Sequence, residues 1–179
     1  IVRVGDVKKV HHIELMPTEH LMAVISGRNR QVCLVPMAGL DGREVDKNKV
    51  ADTKNCQALV TCFCLAIKRQ ISCYEINKSK SRYCHLVDIQ APGIVQWMTL
   101  FGQQLCVGYQ SGFMRYSLHG DTPPVSLLHP DDPTLAFIKA DNLDALCAVE
   151  ISNKELLLCF SKIAVYVDTH GRRSRQQEL

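Results

Sequence analysis

Nine cysteines, seven histidines and eighteen carboxylates give this 179-residue chain the raw material for metal binding, nucleophilic attack or acid–base work, so their spacing decides the matter. Zinc sites draw on Cys-x-x-Cys pairs or on His-Glu-x-x-His along a helix, because those spacings turn the donors toward one point. Neither pattern occurs in the chain. His11 and His12 are neighbours, and neighbours on a strand point to opposite faces. That predicts one packed ring and one exposed ring rather than a shared metal. Asp131 and Asp132 lie between Pro130 and Pro133, which is turn chemistry before it is a catalytic carboxylate pair. The phosphate-cradling Gly-x-x-x-x-Gly-Lys-Ser/Thr loop, the Gly-x-Gly-x-x-Gly helix opening and the kinase motifs His-Arg-Asp and Asp-Phe-Gly are all missing from the sequence. The segment is therefore expected to be non-catalytic, with no catalytic, cofactor-binding or metal residue and no cofactor of its own.

The cysteines read as core residues. Their number is odd, and Cys33, Cys62, Cys64, Cys73, Cys106 and Cys159 sit among apolar strand residues, where the reduced side chain behaves as a small hydrophobe. Cys62 and Cys64 face the same way on a strand and are badly placed to pair with each other. A reduced, cytoplasmic protein is the expectation. Its 46% apolar fraction argues against disorder, and a net charge of +3 is too mild for a nucleic-acid partner. Apolar runs such as Leu156 to Phe160 are strand-sized and far short of a membrane span. The chain starts at Ile1 within an apolar run, with no initiator Met or charged-then-apolar signal segment, and ends at Leu179 without a polar tail, so both ends are expected to be cut from something longer.

The elements that would carry any surface chemistry repeat. Ile13 to Pro36, Val95 to Leu118 and Leu146 to Asp168 each read apolar strand, polar turn, apolar strand, short turn, strand. A fourth copy, Leu65 to Ile76, keeps its later strands and is expected to lack its first. The middle strands centre on Val24, Leu65, Val107 and Leu158, spaced by 41, 42 and 51 residues. Several short strands per unit of about 40 to 50 residues is the grammar of propeller blades. A β-sandwich also has many short strands, but the even spacing favours blades. The expected fold is all-β, a partial β-propeller of four-stranded antiparallel blades. Its approximate units are 10–57, 58–90, 94–129 and 144–179 within one partial domain. Near-continuous apolarity in the second strands predicts burial on both faces. Phe137 and Ile138, in the loop from Pro130 to Asp144, are expected to tuck into a blade edge as an extra strand.

Turns between second and third strands place Arg28, Arg30, Lys68, Arg69 and Lys162 as a candidate interaction face, with no Asp or Glu among them. Such a cluster suits an acidic protein segment or anionic lipid head groups; solvated turn tips are the plainer alternative. Asp131, Asp132, Asp141 and Asp144 are expected on the same face, partly cancelling the field. Ser174, inside Gly-Arg-Arg-Ser-Arg, is a candidate phosphorylation site. A basic loop runs from Lys78 to Arg82.

The wording of the chain also resembles a known family. Lys8-Lys9-Val10-His11-His12-Ile13-Glu14-Leu15, Ala23-Val24-Ile25-Ser26-Gly27-Arg28-Asn29-Arg30, Leu40-Asp41-Gly42-Arg43-Glu44 and Val95-Gln96-Trp97-Met98 resemble the citron homology (CNH) domain. So do Leu105 to Phe113, Asp144 to Glu150 and Gly171 to Leu179, a likeness running nearly end to end. It is greatest to the kinases related to the myotonic-dystrophy kinase that bind a small Rho-type GTPase.

That resemblance implies a regulatory or scaffolding module near the C-terminus of a large serine/threonine kinase. Such kinases act on actomyosin contractility at the leading edge of the cell. ATP and magnesium would belong to the kinase domain of that parent, and the GTPase to other parts of it. Protein partners or an anionic membrane surface would fall to this module. Near Gln57 the family usually carries further residues, including a basic turn, which this chain lacks. The rivals are a free-standing propeller adaptor without a kinase and a propeller enzyme using rim His and Asp residues.

Overall fold

Val24, Leu65, Val107 and Leu158 each fall in the second strand of a separate antiparallel sheet, so the spacing of apolar runs located the centres of all four. The computed structural model describes residues 9–41, 48–52, 55–59, 62–77 and 82–176. The first four residues of the basic loop at 78–82 lie outside that set. The chain divides into two compact units, Ile1–Gln90 and Ala91–Leu179.

In the first unit, β1 (Val10–Met16), β2 (Leu21–Ser26), β3 (Gln31–Pro36) and β4 (Asn48–Asp52) form one sheet in chain order. A second sheet follows, again in chain order: β5 (Asn55–Leu59), β6 (Cys62–Ile67), β7 (Gln70–Asn77) and β8 (Arg82–Gln90). The expectation of a missing first strand here is corrected, because β5 pairs with β6 from Asn55↔Ala66 to Leu59↔Cys62. Asn55-Cys56-Gln57-Ala58-Leu59 carries no apolar run, so only backbone pairing reveals it as a strand. Met16, Ala23, Ile25, Leu34, Phe63 and Leu65 from the two sheets bury together as one core. Phe63 stacks on Tyr74 at 5.1 Å, and Tyr83 meets Tyr74 edge-on at 5.5 Å. Aromatic pairs in these arrangements add about 0.5–1.5 kcal/mol beyond area burial.

In the second unit, β9 (Trp97–Phe101), β10 (Gln104–Tyr109), β11 (Gly112–Ser117) and β12 (Val125–Ser126) form a four-stranded sheet. β13 (Ala145–Ser152), β14 (Glu155–Phe160) and β15 (Ala164–Asp168) form a three-stranded one. A single bridge, Val167↔Arg173, starts a further pairing on the outer edge of β15. The strands β2, β6 and β10 are buried along nearly their whole length, as their continuous apolarity predicts. β14 instead alternates: Leu156, Leu158 and Phe160 are buried while Leu157 and Cys159 are half-buried. One face of this last sheet is therefore only partly covered.

The segment between β12 and β13 is helical, which corrects the expected extra strand. Asp132 caps a short 3-10 turn at Pro133–Leu135, accepting from the Thr134 N–H at 2.9 Å, and α1 (Ala136–Ala140) continues it. Proline at the first position and an aspartate before it form a helix-start signal. Leu135 and Ile138, three apart, turn the same way into the core of this unit. Periodicity too short to register hid a helix of one turn.

Candidate functional site

The turn Gly27–Arg30 between β2 and β3 is held from below by β1. A register shift between Val10 and His12 bulges the strand at His11, and the His11 Nε2–H donates to the Gly27 carbonyl at 3.0 Å. The Gly27 N–H in turn donates to the Lys9 carbonyl at 3.0 Å. The pair of adjacent histidines thus splits as expected: His11 is half-buried against the turn, and His12 is exposed beside Glu14. This scaffold presents Arg28 exposed and Arg30 half-buried, and it adds Lys9, exposed, whose carbonyl anchors the same turn. Lys9 was not singled out in the sequence because 18 residues separate it from Gly27; only the pairing of β1 with β2 brings them together.

Lys68 and Arg69 occupy the equivalent turn of the second sheet, between the paired residues Ile67 and Gln70, and both are exposed. Lys68 holds φ at 54°, the left-handed region that costs a non-glycine residue about 1–2 kcal/mol. Lys68→Gly is expected to stabilise the first unit by about 0.5–1 kcal/mol, part of the relief being lost to the freer unfolded chain. A denaturant midpoint that moves down would refute it. The same substitution removes a cation without harming the hairpin.

Lys162 is exposed in the turn between β14 and β15, in the second unit. Beside it, the Ser161 N–H donates to the Asp144 carbonyl at 2.9 Å, while the Asp144 carboxylate accepts from Gln96 Nε2 at 2.5 Å. Gln96 Oε1 also accepts from the Ala145 N–H at 2.7 Å, so this side chain ties β9 to β13.

Asp132 is no free surface charge. It is 9% exposed, and its second oxygen accepts from the Arg173 N–H at 2.9 Å. The Thr134 hydroxyl, then the Arg173 amide, hold its carboxyl below the usual range. Asp131 remains exposed. The doublet is turn chemistry, with one member structural.

Ser174 is exposed, but its hydroxyl donates to Glu155 Oε1 at 2.6 Å and its N–H to the Tyr166 carbonyl at 2.9 Å. Arg175 completes the clasp, donating from Nε to the same Glu155 oxygen at 2.9 Å while its guanidinium lies 4.1 Å from the Tyr166 ring centre. Arg175 first, then Ser174, hold the Glu155 carboxyl below its ordinary range.

A cleft of about 250 Å³ in the second unit is lined by Tyr109, Ser111, Ser126, His129, Asp132 and Lys139. Its acid–base groups are largely engaged: Asp132 as above, and His129 Nδ1 accepting from the Asp131 N–H at 3.2 Å. Among the described residues no cluster of His, Cys, Asp or Glu is arranged to hold a metal ion, and no helix is long and apolar enough to cross a membrane.

Four small antiparallel sheets following one another along the chain are the arrangement of propeller blades. The CNH domain family model matches residues 1–179, and the chain belongs to that family. It is 56% identical to the serine/threonine-protein kinase MRCK alpha of Rattus norvegicus and 47% identical to MRCK beta of Mus musculus, in both cases over 100% of this chain and 11% of theirs. It is 31% identical to the serine/threonine-protein kinase Genghis Khan of Drosophila melanogaster, over 12% of that protein.

Among solved structures, the AfRom2 CNH domain superposes with a TM-score of 0.83 at 23% identity, over 99% of this chain and 60% of that one. The Cps50 (Swd1) β-propeller domain of Myceliophteria thermophila gives a TM-score of 0.65 at 12% identity, over 93% of this chain and 54% of its own. The fold is that of part of a β-propeller. The family read from the sequence phrases is borne out, and it is not a kinase catalytic domain. The chain spans about a ninth of the length of these kinases.

Proposed function

We propose that this chain is a non-catalytic docking module of a large serine/threonine kinase, and that it engages an acidic segment of a partner protein through its cationic hairpin turns. The observation that carries the reading is the first unit's pair of equivalent turns. Each joins the second strand of a sheet to the third, and together with Lys9 they present Arg28, Arg30, Lys68 and Arg69 from backbone that pairing holds in place. Fixed cations attract an acidic segment without paying to order the loops first. Lys162 offers a similar tip on the second unit.

The kinase parentage rests on the 56% identity to MRCK alpha across the whole chain. In this reading the parent is cytoplasmic, works on the actomyosin cytoskeleton near the leading edge, and meets a Rho-type GTPase through other segments. ATP and magnesium serve its kinase domain alone. Phosphorylation of Ser174 would set a phosphate against Glu155 and loosen the clasp made by Arg175.

The test is binding of a fluorescent Glu-rich peptide to the 179-residue chain, beside phosphatidylcholine vesicles with and without phosphatidylserine. Reversing Arg28, Arg30, Lys68 and Arg69 to Glu is expected to weaken peptide binding by about tenfold to a hundredfold, with the difference shrinking at high salt. A midpoint of unfolding measured on the same variant guards against misfolding. Unchanged peptide affinity in a folded variant would end the proposal. Charge-dependent binding of the phosphatidylserine vesicles without the peptide would move the face to a membrane surface instead.

A further inference from the structure

The sheets place two pairs of cysteines directly opposite each other on adjacent antiparallel strands. Cys64 on β6 faces Cys73 on β7, with sulfurs 2.9 Å apart, and Cys147 on β13 faces Cys159 on β14. Directly opposed residues of an antiparallel ladder have Cα atoms about 4.5 or 5.5 Å apart, according to the hydrogen-bonding pattern. Both spacings fall within the roughly 4.4–6.8 Å that a disulfide spans. Geometry therefore permits either pair to close. Access separates them: Cys64 and Cys73 are both 0% exposed, whereas Cys147 and Cys159 are half-buried on the partly covered face of the last sheet.

We infer that Cys147 and Cys159 form a peroxide-sensitive dithiol that closes to a cross-strand disulfide, while the buried Cys64–Cys73 pair is spared in the folded protein. Burial, then the hydrogen bond with Cys147, pushes the Cys159 thiol up to about 11. One sulfur of the pair attacks one oxygen of hydrogen peroxide and breaks the O–O bond, giving a sulfenic acid and one water. The other sulfur then attacks the sulfenic sulfur and expels its hydroxyl, which takes up the attacking thiol's proton and leaves as a second water. Two thiols lose two electrons and two protons in all, and one peroxide is reduced to two waters. The product staples β13 to β14 in the register they already hold.

The experiment treats the reduced 179-residue chain with hydrogen peroxide, blocks remaining thiols with N-ethylmaleimide, and digests without reductant for mass spectrometry. The expected result is a linked peptide joining Cys147 to Cys159, lighter by two hydrogens. Cys64 and Cys73 should become alkylated only after denaturation. In Cys159→Ser and in Cys147→Ser the linked peptide should disappear, and dimedone should trap a sulfenic acid at the remaining cysteine. A Cys64–Cys73 link formed first, or links only between molecules, would overturn the inference. Circular dichroism of both serine variants confirms that the sheets being compared are intact.

Discussion

Phe113→Ala is expected to destabilise the second unit by about 3–5 kcal/mol, the upper range for truncating a buried aromatic ring. Phe113 is fully buried on β11 and meets Trp97 edge-on at 6.0 Å and Phe160 at 5.2 Å, so it joins the two sheets of this unit. Its ring also lies over Gly108, its partner across the ladder, where an added Cβ would come within 2.8 Å of Phe113 Cε1. Gly108 has no side chain to swing into the space the ring would vacate. The cavity would thus stay open rather than collapse, which is the circumstance that makes truncation most costly. Trp97 is the chain's one tryptophan and touches this ring, so its fluorescence reports the unit directly in a denaturant titration. A loss under about 1 kcal/mol would show that the two sheets do not depend on this contact.

Gly171→Ala is expected to cost about 2–4 kcal/mol, from two sources that add at one atom. Gly171 has φ at +77°, and its carbonyl accepts from the His129 N–H at 2.8 Å. A Cβ there would stand 2.9 Å from His129 N and 3.0 Å from the carbonyl carbon and oxygen of Leu127. These are backbone atoms of a neighbouring segment and cannot swing aside like a flexible side chain. Gly27 is the natural comparison, with nearly the same φ of +76° but nothing within 4 Å of its Cβ position. Gly27→Ala should therefore cost only the conformational part, about 1 kcal/mol. Equal losses in the two variants would show that the close approach at Gly171 is relieved by backbone movement. Hydrogen exchange at the His129 and Arg173 amides would localise the effect, since the first donates to the Gly171 carbonyl and the second to Asp132, joining the same two segments.

Much of this architecture was legible because sheet centres are the most apolar parts of the chain. Val24, Leu65 and Val107 sit in strands buried on both faces, and such strands must be apolar at nearly every position. Strand β5 escaped because Asn55-Cys56-Gln57 carries no such signal, and strand identity there is conferred by hydrogen bonding to β6. The helix α1 escaped for a related reason: a single turn has no period to detect, although Asp132-Pro133 is a start signal that could have been used.

The candidate face was legible in part. Arg28, Arg30, Lys68 and Arg69 were found as turn residues, since glycine and polar runs punctuate hairpins. Lys9 and the bond from His11 to Gly27 were not, because a residue's neighbour across a ladder depends on register. The acidic doublet at 131–132 illustrates the same limit. Its turn character was evident from the flanking prolines, but the inward role of Asp132 depends on Arg173, 41 residues away.

The all-β class, the repeat spacing, the family and the residues at hairpin tips could all be read along the chain. Each follows from local composition: apolar runs, turn formers and long family phrases are properties of neighbours in the chain. The pairs emerge only on folding: Cys147 with Cys159, Gln96 with Asp144, Phe113 over Gly108 and Gly171 against Leu127. Pairing register is a long-range choice set by how whole faces bury, and a shift of one residue along their strands would turn Cys147, Cys159 or Phe113 to the opposite face.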